Sequence, residues 1–430
     1  MVYYSLNNPN RTTSFREAVI QGIAPDKGLY VPEKINALPA DFFDEIENMS
    51  HQEIAFKAIH QFVKEDISDV ALHDILGKVL DFDFPVVPIE DKVGTLELFH
   101  GPTMAFKDVG ARFMANCLGH FSENHKKEVT VLVATSGDTG GAVANGFLGV
   151  EGVRVVILYP SGKVSDIQEK QLTTLGQNIT ALEVDGTFDD CQKMVKTAFL
   201  DSEITQIKKL TSANSINVAR WLPQLFYFLF AYKEAKSKGE IVFSVPSGNF
   251  GNICAGMVAQ KLGMPVKHFI ASTNVNDVVP KFMNDGEYTP QPSIATISNA
   301  MDVGDPSNFV RIRHLYQNDF HELKSNLSGF TFTDDETRKA MEKLYLHHNY
   351  LADPHGAVGY LGLKKYQEQH PDTYGIFLET AHPVKFLDVV KDTLGVEPDI
   401  PPQIEKVLNR EKKAFSISKY EDLKTFLLSD

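Results

Sequence analysis

VTVLVATSGDTGGAVANGF (residues 129–147) reads as a strand, a loop and a helix in immediate succession. Val, Leu and Ala interrupted only by Thr130 suit a strand buried on both faces. TSGDTGG (135–141) is glycine-rich and polar, and helical spacing begins near Gly140. The same pattern recurs on either side. VGTLELF (93–99) precedes a helix expected from about Lys107 to Phe121. VRVVILY (153–159) precedes one expected from Ser165, and ITALEV (179–184) one from Phe188. EIVFSV (240–245) precedes one from Asn252, and YGIFLET (374–380) reads as a late buried strand. Short aliphatic runs followed by amphipathic helices indicate βαβ units and an α/β fold with parallel sheet covered on both faces. Ligands in such sheets bind at the carboxyl ends of the strands, so chemistry is sought in the loops that follow them.

Two of those loops have the grammar of anion sites. PSGNFGN (246–252) follows a buried strand and opens an apolar helix. Gly248 and Gly251 let backbone N–H groups converge, and the helix adds its positive end. A plain strand-to-helix turn would use glycine in the same way. TSGDTGG shares the pattern and adds side-chain oxygens at Ser136, Asp138 and Thr139. A nicotinamide site would need G-x-G-x-x-G and an acid closing the next strand. Here the spacing is G-x-x-G-G, and the following strands end in Tyr159-Pro160 and Ala271-Ser272. No G-x-x-x-x-G-K-[ST] occurs.

HGPTMAFKDVG (100–110) delivers Lys107 to the mouth of a helix among Met104, Ala105, Phe106 and Val109. Burial and a helix N-terminus both disfavour an ammonium. A nucleophilic lysine must lose about three pKa units from ~10.4, worth ~4–5 kcal/mol. The plain alternative is an ion pair with Asp108 or another nearby acid; His100 is expected to be a hydrogen-bonded core residue. In FLETAHPVKF (377–386), Thr380 closes a strand and either meets a ligand nitrogen or caps a helix before Pro383. In SANSINVARWLPQ (212–224), Asn214, Ser215, Asn217 and Arg220 open an amphipathic helix, and Arg220 suits phosphate or carboxylate recognition. The alternative is a solvated cap with a surface ion pair.

The chain has 430 residues, 43% hydrophobic and 23% charged, which suits a globular protein of several domains. A net charge of −14 argues against nucleic acid or anionic membrane as partners. Cys117, Cys191 and Cys254 are odd in number and far apart, suggesting neither disulfides nor zinc and fitting a reducing compartment. The N-terminus MVYYSLNNPNR lacks a signal-peptide pattern, and the longest apolar stretch, 225–232, falls far short of the ~20 residues that span a bilayer. A soluble, cytoplasmic protein is expected. Residues 1–90 are expected to be a mostly helical accessory domain, 91–395 the catalytic core, and 396–430 a C-terminal appendage beyond the PDIPPQ break. Residues 275–350 are irregular and read as a second lobe or a long excursion.

HGPTMAFKD, ATSGDTGGAVA, SANSINVAR, VPSGNFGN and TAHPVKF stand in the order and spacing of the threonine synthase family, in its longer bacterial and fungal form. SFREAVIQGIAPDKGLYVPE near the N-terminus also resembles that family, and the likeness runs from about residue 3 to 395. It implies a fold-type II pyridoxal-phosphate enzyme: two open, twisted, mainly parallel sheet domains flanked by helices, plus a helical N-terminal domain. It implies that Lys107 carries pyridoxal 5′-phosphate as an imine. Gly248, Asn249, Phe250, Gly251 and Asn252 would hold the cofactor phosphate, and Thr380 the pyridine nitrogen. Ser136, Gly137, Asp138, Thr139 and Gly140 match the loop for the substrate carboxylate, with Asp138 standing where many relatives carry asparagine. Asn217 and Arg220 are candidates for a substrate phosphate, with Asn214, Ser215 and Lys163 behind them. Met104 and Val384 depart mildly from the family's usual leucine and alanine but keep the site apolar.

The implied reaction converts O-phospho-L-homoserine and water to L-threonine and phosphate, with Lys107 shuttling protons and a closing motion excluding water. Rivals are a phospho-lyase releasing 2-oxobutyrate, a threonine or serine dehydratase, and a non-catalytic binding relative. The last would have no use for a neutral lysine.

Overall fold

The computed structural model describes residues 1–122 and 128–429. A small N-terminal sheet comes first: β1 (Tyr3–Ser5) pairs antiparallel with both β2 (Asn8–Thr13) and β3 (Tyr30–Pro32). Two larger sheets follow. One has the order β12-β11-β10-β13-β5-β4, from β4 (Val86–Glu90), β5 (Val93–Glu97), β10 (Ile241–Pro246), β11 (His268–Thr273), β12 (Leu327–Thr331) and β13 (Tyr374–Glu379). It is parallel except for β4, which runs antiparallel to β5. The other has the order β14-β8-β7-β6-β9, all parallel, from β6 (Val129–Ala134), β7 (Val153–Pro160), β8 (Ile179–Val184), β9 (Lys209–Thr211) and β14 (Phe415–Ile417). The expected α/β architecture with two mainly parallel sheets is therefore present.

Residue chemistry explains the main elements. β6, β10, β11 and β13 are buried at every position, as strands covered on both faces are, although β11 (HFIAST) includes His268, Ser272 and Thr273. Helices begin where short polar side chains can take the first free N–H groups. Ser14 caps Phe15–Gln21, Ser165 caps Asp166–Thr173 in a reciprocal arrangement with Gln168, and Thr187 does the same with Asp190 for Phe188–Leu200. The helix Lys107–Ser122 is apolar on much of its circumference, burying Val109, Phe113, Met114, Cys117 and Leu118. All three cysteines are buried and free. No helix among the described residues is long and apolar enough to cross a membrane.

The flanking regions are more integrated than their composition suggests. Residues 1–79 form a sheet as well as helices, because the polar strand β2 carries no alternation to betray it. Ile54, Phe62 and Leu76 share one hydrophobic core with Phe113, Phe226 and Ile253. The expected boundary at 90 falls in the β4–β5 hairpin, so β4 edges the large sheet. Beyond 396, β14 extends the small sheet, and Leu423 and Leu427 of helix Tyr420–Leu428 pack on Cys191 and Val195. Residues 275–350 belong to the lobe of the large sheet: helices Val278–Asp285, Phe309–Leu315 and Phe320–Asn326 lead into β12, and Asp334–His348 follows it. The polar run there is stitched internally, with Asn274 and Asn276 donating to Asp302 at 2.9 and 3.3 Å.

One packing contact ties the fold to the site. A Cβ on Gly110 would sit 2.4 Å from the Arg220 carbonyl oxygen, so the helix that begins with Lys107 touches the turn of Arg220 backbone to backbone. Gly110→Ala must push these elements apart, and we expect a loss of about 1–3 kcal/mol in urea unfolding, with a reduced kcat/KM for the native reaction.

Candidate active site

Five loops converge at the carboxyl ends of β5, β6, β9, β10 and β13. β5 and β13 are neighbours, so the loops after them run together. The Phe106 N–H donates to the Thr380 carbonyl at 2.8 Å, the His382 N–H donates to the Met104 carbonyl at 3.1 Å, and Ala105 bridges Ala381. Met104 takes a left-handed turn, φ 58°, to enter this ladder. The Thr103 N–H and hydroxyl both donate to the Asp108 carboxylate, at 2.9 Å for the N–H. The Tyr227 hydroxyl donates to the Phe106 carbonyl. Lys107 thus leaves a backbone fixed on both sides.

The Lys107 amine makes no hydrogen bond and no ion pair among the described residues; it lies 5.6 Å from the centre of the Phe106 ring. The side chain keeps some solvent access, but protein crowds its charged end. Burial lowers its pKa; Asp138 opposes this, and Lys385 and Arg220 lower it further. Asp108, the expected partner in the plain alternative, is turned to Thr103, and burial raises its own pKa against those bonds.

The 248–252 loop is a nest of free donors. The five N–H groups from Gly248 to Asn252 have no acceptor among the described residues, and Phe250 sits left-handed, φ 60°, at the entrance to helix Gly251–Lys261. Side chains hold the loop from behind. Asn249 donates to Ser215 Oγ at 2.9 Å and accepts the Ser307 N–H at 2.6 Å. Asn252 donates to the Pro246 carbonyl at 2.9 Å. A Cβ on Gly248 would lie 2.7 Å from the Ala300 carbonyl oxygen, so the 299–301 turn walls this side.

The 135–141 loop is organised by Thr135, whose hydroxyl accepts the Gly137 and Gly140 N–H groups at 3.0 and 2.8 Å. Gly137 needs its φ of 141° for the turn. The N–H groups of Ser136, Asp138 and Thr139 remain without protein acceptors. Asp138 is buried and carries an ion pair with Lys385 at 2.6 Å and a hydrogen bond from Gln168 at 2.9 Å. Burial pushes its carboxyl up, but Lys385 and then Lys107 more than reverse this and hold it far below the usual carboxylate range.

The loop after β9 separates its candidates. Arg220 is 2% exposed, donates to the Ala213 carbonyl, makes no salt bridge, and leaves Nε unpartnered. Burial lowers its pKa to about 10, against the pull of Tyr227 and Asp108, so it stays a cation without a carboxylate. Asn217 departs from expectation: its amide donates to the Val19 and Ser212 carbonyls at 2.9 and 3.1 Å, and its oxygen caps the Ala219 N–H. Its donors are committed to structure. Asn214 donates to the Ala134 carbonyl at 3.1 Å, while Ser215 accepts from both Asn249 and Asn308. Lys163 is exposed beyond β7, where its charge acts on Asp190, and is not brought to the other candidates.

Thr380 is 6% exposed and its hydroxyl makes no hydrogen bond, while the following turn is capped by His382, whose Nδ1 accepts the Val384 N–H at 3.1 Å. His100 is exposed and paired with Glu97 at 2.7 Å, so it is not the core histidine expected. Local sequence did not single out Lys385, although it lies in the quoted FLETAHPVKF stretch, nor Asn308 and Arg311, which back the 248–252 loop from the irregular region.

Comparison with known proteins agrees with this geometry. The family model described as "Pyridoxal-phosphate dependent enzyme" matches residues 95–377, "Threonine synthase N terminus" matches 2–79, and "Threonine synthase, C-terminal" matches 356–427. The threonine synthase of Escherichia coli strain K12 is 43% identical over 406 residues, 94% of each chain. The crystal structure of threonine synthase from Escherichia coli superposes with a TM-score of 0.93 at 41% identity, covering 100% of both chains. The X-ray structure of PLP-bound threonine synthase from Brucella melitensis gives a TM-score of 0.93 at 31% identity, covering 99% of this chain and 98% of that one. From its N-terminal sheet through both lobes of its core, the chain belongs to the threonine synthase family of fold-type II pyridoxal-phosphate-dependent enzymes.

Proposed function

We propose that the chain converts O-phospho-L-homoserine and water into L-threonine and phosphate. The observation that carries this reading is a half-buried lysine, unpaired among the described residues, flanked by two loops of acceptor-free N–H groups and by a buried arginine without a carboxylate. These residues fit pyridoxal 5′-phosphate. The five free N–H groups of 248–252 would hold its phosphate, the unused Thr380 hydroxyl would meet its ring nitrogen, and Lys107 would carry it. When bound, the cofactor supplies an electron-withdrawing ring that stores the charge released at the substrate carbons.

The remaining work falls to the chain's own groups. The N–H groups of Ser136, Asp138 and Thr139, in the turn shaped by Gly137 and Gly140, would bind the substrate α-carboxylate. Arg220 would bind the substrate phosphate, with Ser215 and Asn214 beside it; Asn217 instead positions their loop. Lys107, once released by the substrate amine, would take the proton from Cα and then one from Cβ, whose electron pair expels phosphate from Cγ, and would return a proton at Cγ. Its lowered pKa leaves a larger neutral fraction near neutrality than an exposed lysine has, which both attack and proton abstraction require. Water then adds at Cβ. A small-molecule biosynthetic reaction and three buried, free cysteines support a cytoplasmic setting.

Product analysis on O-phosphohomoserine tests the proposal directly: we expect threonine and phosphate in equal amounts, and 2-oxobutyrate as the main product would overturn it. Lys107→Ala should abolish turnover and remove the bound cofactor's visible absorbance band; a surviving band would place the attachment elsewhere. Arg220→Met should raise KM for O-phosphohomoserine roughly ten- to a hundredfold while leaving inhibition by unphosphorylated homoserine nearly unchanged. Equal weakening of both would remove Arg220 from the phosphate subsite.

A further inference from the structure

The site contains a second lysine. Lys385 is 0% exposed, and the turn Pro383–Phe386, capped by His382, fixes its backbone. Its amine lies 2.6 Å from Asp138 Oδ1 and donates to the Thr103 carbonyl at 2.9 Å. It therefore ties the loop that carries Lys107 to the loop on the opposite sheet. Gln168 donates to the same Asp138 oxygen at 2.9 Å.

The charges that act on Lys107 are then fully named. Asp138 from the loop after β6 favours its ammonium, while Lys385 from the turn after β13 and Arg220 from the turn after β9 oppose it. Asp108, next to it on its own helix, is turned to Thr103, and the Tyr227 hydroxyl donates to the Phe106 carbonyl. A lone buried carboxylate beside a buried lysine would pair with it and restore the ammonium. Here that carboxylate already has a cation in contact, and Lys107 has none.

We propose that Lys385 is a positioning residue for the reaction: by holding the Asp138 carboxylate in a buried ion pair, it keeps that carboxylate from pairing with Lys107 and leaves Lys107 free as the nucleophile. The proposal rests on the reading that Lys107 carries the cofactor. Lys385 itself need not touch substrate, and its charge is committed. The asymmetry between two neighbouring lysines, one buried and paired and one half-buried and unpaired, decides which of them reacts.

The test measures how fast the cofactor-free full-length chain takes up pyridoxal 5′-phosphate, followed by absorbance as a function of pH. Uptake requires neutral Lys107, so its midpoint reports that amine. Lys385→Met should move the midpoint up by about one to three pH units, because the freed carboxylate then favours the Lys107 ammonium. Lys385→Arg should stay near wild type, and adding Asp138→Asn to Lys385→Met should bring the midpoint back down. Asp138→Asn alone should lower it below wild type, and this arm decides the matter if Lys385→Met does not fold. An unmoved midpoint in folded Lys385→Met, or in Asp138→Asn, overturns the proposal. Failure of the wild-type chain to take up the cofactor, or the absorbance band of a lysine imine appearing in Lys107→Ala, overturns the underlying reading instead.

Discussion

The Lys107 amine is crowded by protein yet denied a counter-ion, and the role proposed for it requires both. Crowding alone is easy, since any core position supplies it. Denying the counter-ion is harder, because the surrounding loops must bind anions and are themselves polar. The solution is to commit each nearby carboxylate elsewhere. Asp108 is taken by Thr103 and Asp138 by Lys385. Both arrangements depend on the bridge between Ala105 and Ala381, which brings the loops after β5 and β13 into one ladder.

The same logic extends behind the 248–252 loop. Arg311 is 1% exposed and has no carboxylate partner. Its donors go instead to the Tyr30, Ser215 and Ile216 carbonyls and to Asn308, and its guanidinium lies over the Trp221 ring at 4.8 Å. Burial lowers its pKa to about 9, which still leaves it charged at neutrality. Asn308 in turn reaches Ser215, which receives Asn249 of the loop. A cation is thereby anchored two hydrogen bonds behind a cluster of free N–H groups, and its field adds to theirs where an anion would sit. The Tyr30 contact also ties the N-terminal sheet to this loop: it supplies a carbonyl that holds this arginine in place.

Strand runs and helix starts were legible because each depends on a few consecutive residues. The buried strands announce themselves by continuous aliphatic side chains, and Ser14, Ser165 and Thr187 by their capping chemistry. Lys107 was legible through its apolar neighbours and the Gly loops through their turns. What escaped depends on contacts across long separations. Lys385 becomes special only through Asp138 and Thr103, both more than 240 positions away. Asn217 has the composition of a ligand residue, but its amide is used up by Val19, 198 positions earlier. His100 sits on an apolar run yet emerges at the surface beside Glu97. Strand β14 is three residues long and forms only because the edge of β8 awaits it.

The end of β13 shows how strand alternation chooses which neighbour reaches the site. Glu379 and Thr380 are adjacent, so their side chains face opposite sides of the sheet. Glu379 points to Gly356, where a Cβ would lie 1.9 Å from its Oε1, and shares its pocket with Asp353. Burial raises the Glu379 pKa well above the usual range, and Asp353 raises it further. Burial raises the Asp353 pKa, but contact with His355, whose Nε2 accepts the Ala300 N–H at 3.2 Å beside Gly248, more than reverses this and lowers it. Had the strand ended one residue earlier, a carboxyl would occupy the place of Thr380. A ring nitrogen there would then gain a proton and a stronger electron sink. The register that turns Glu379 away leaves a hydroxyl instead, and the site keeps a neutral partner where the proposed cofactor ring would lie.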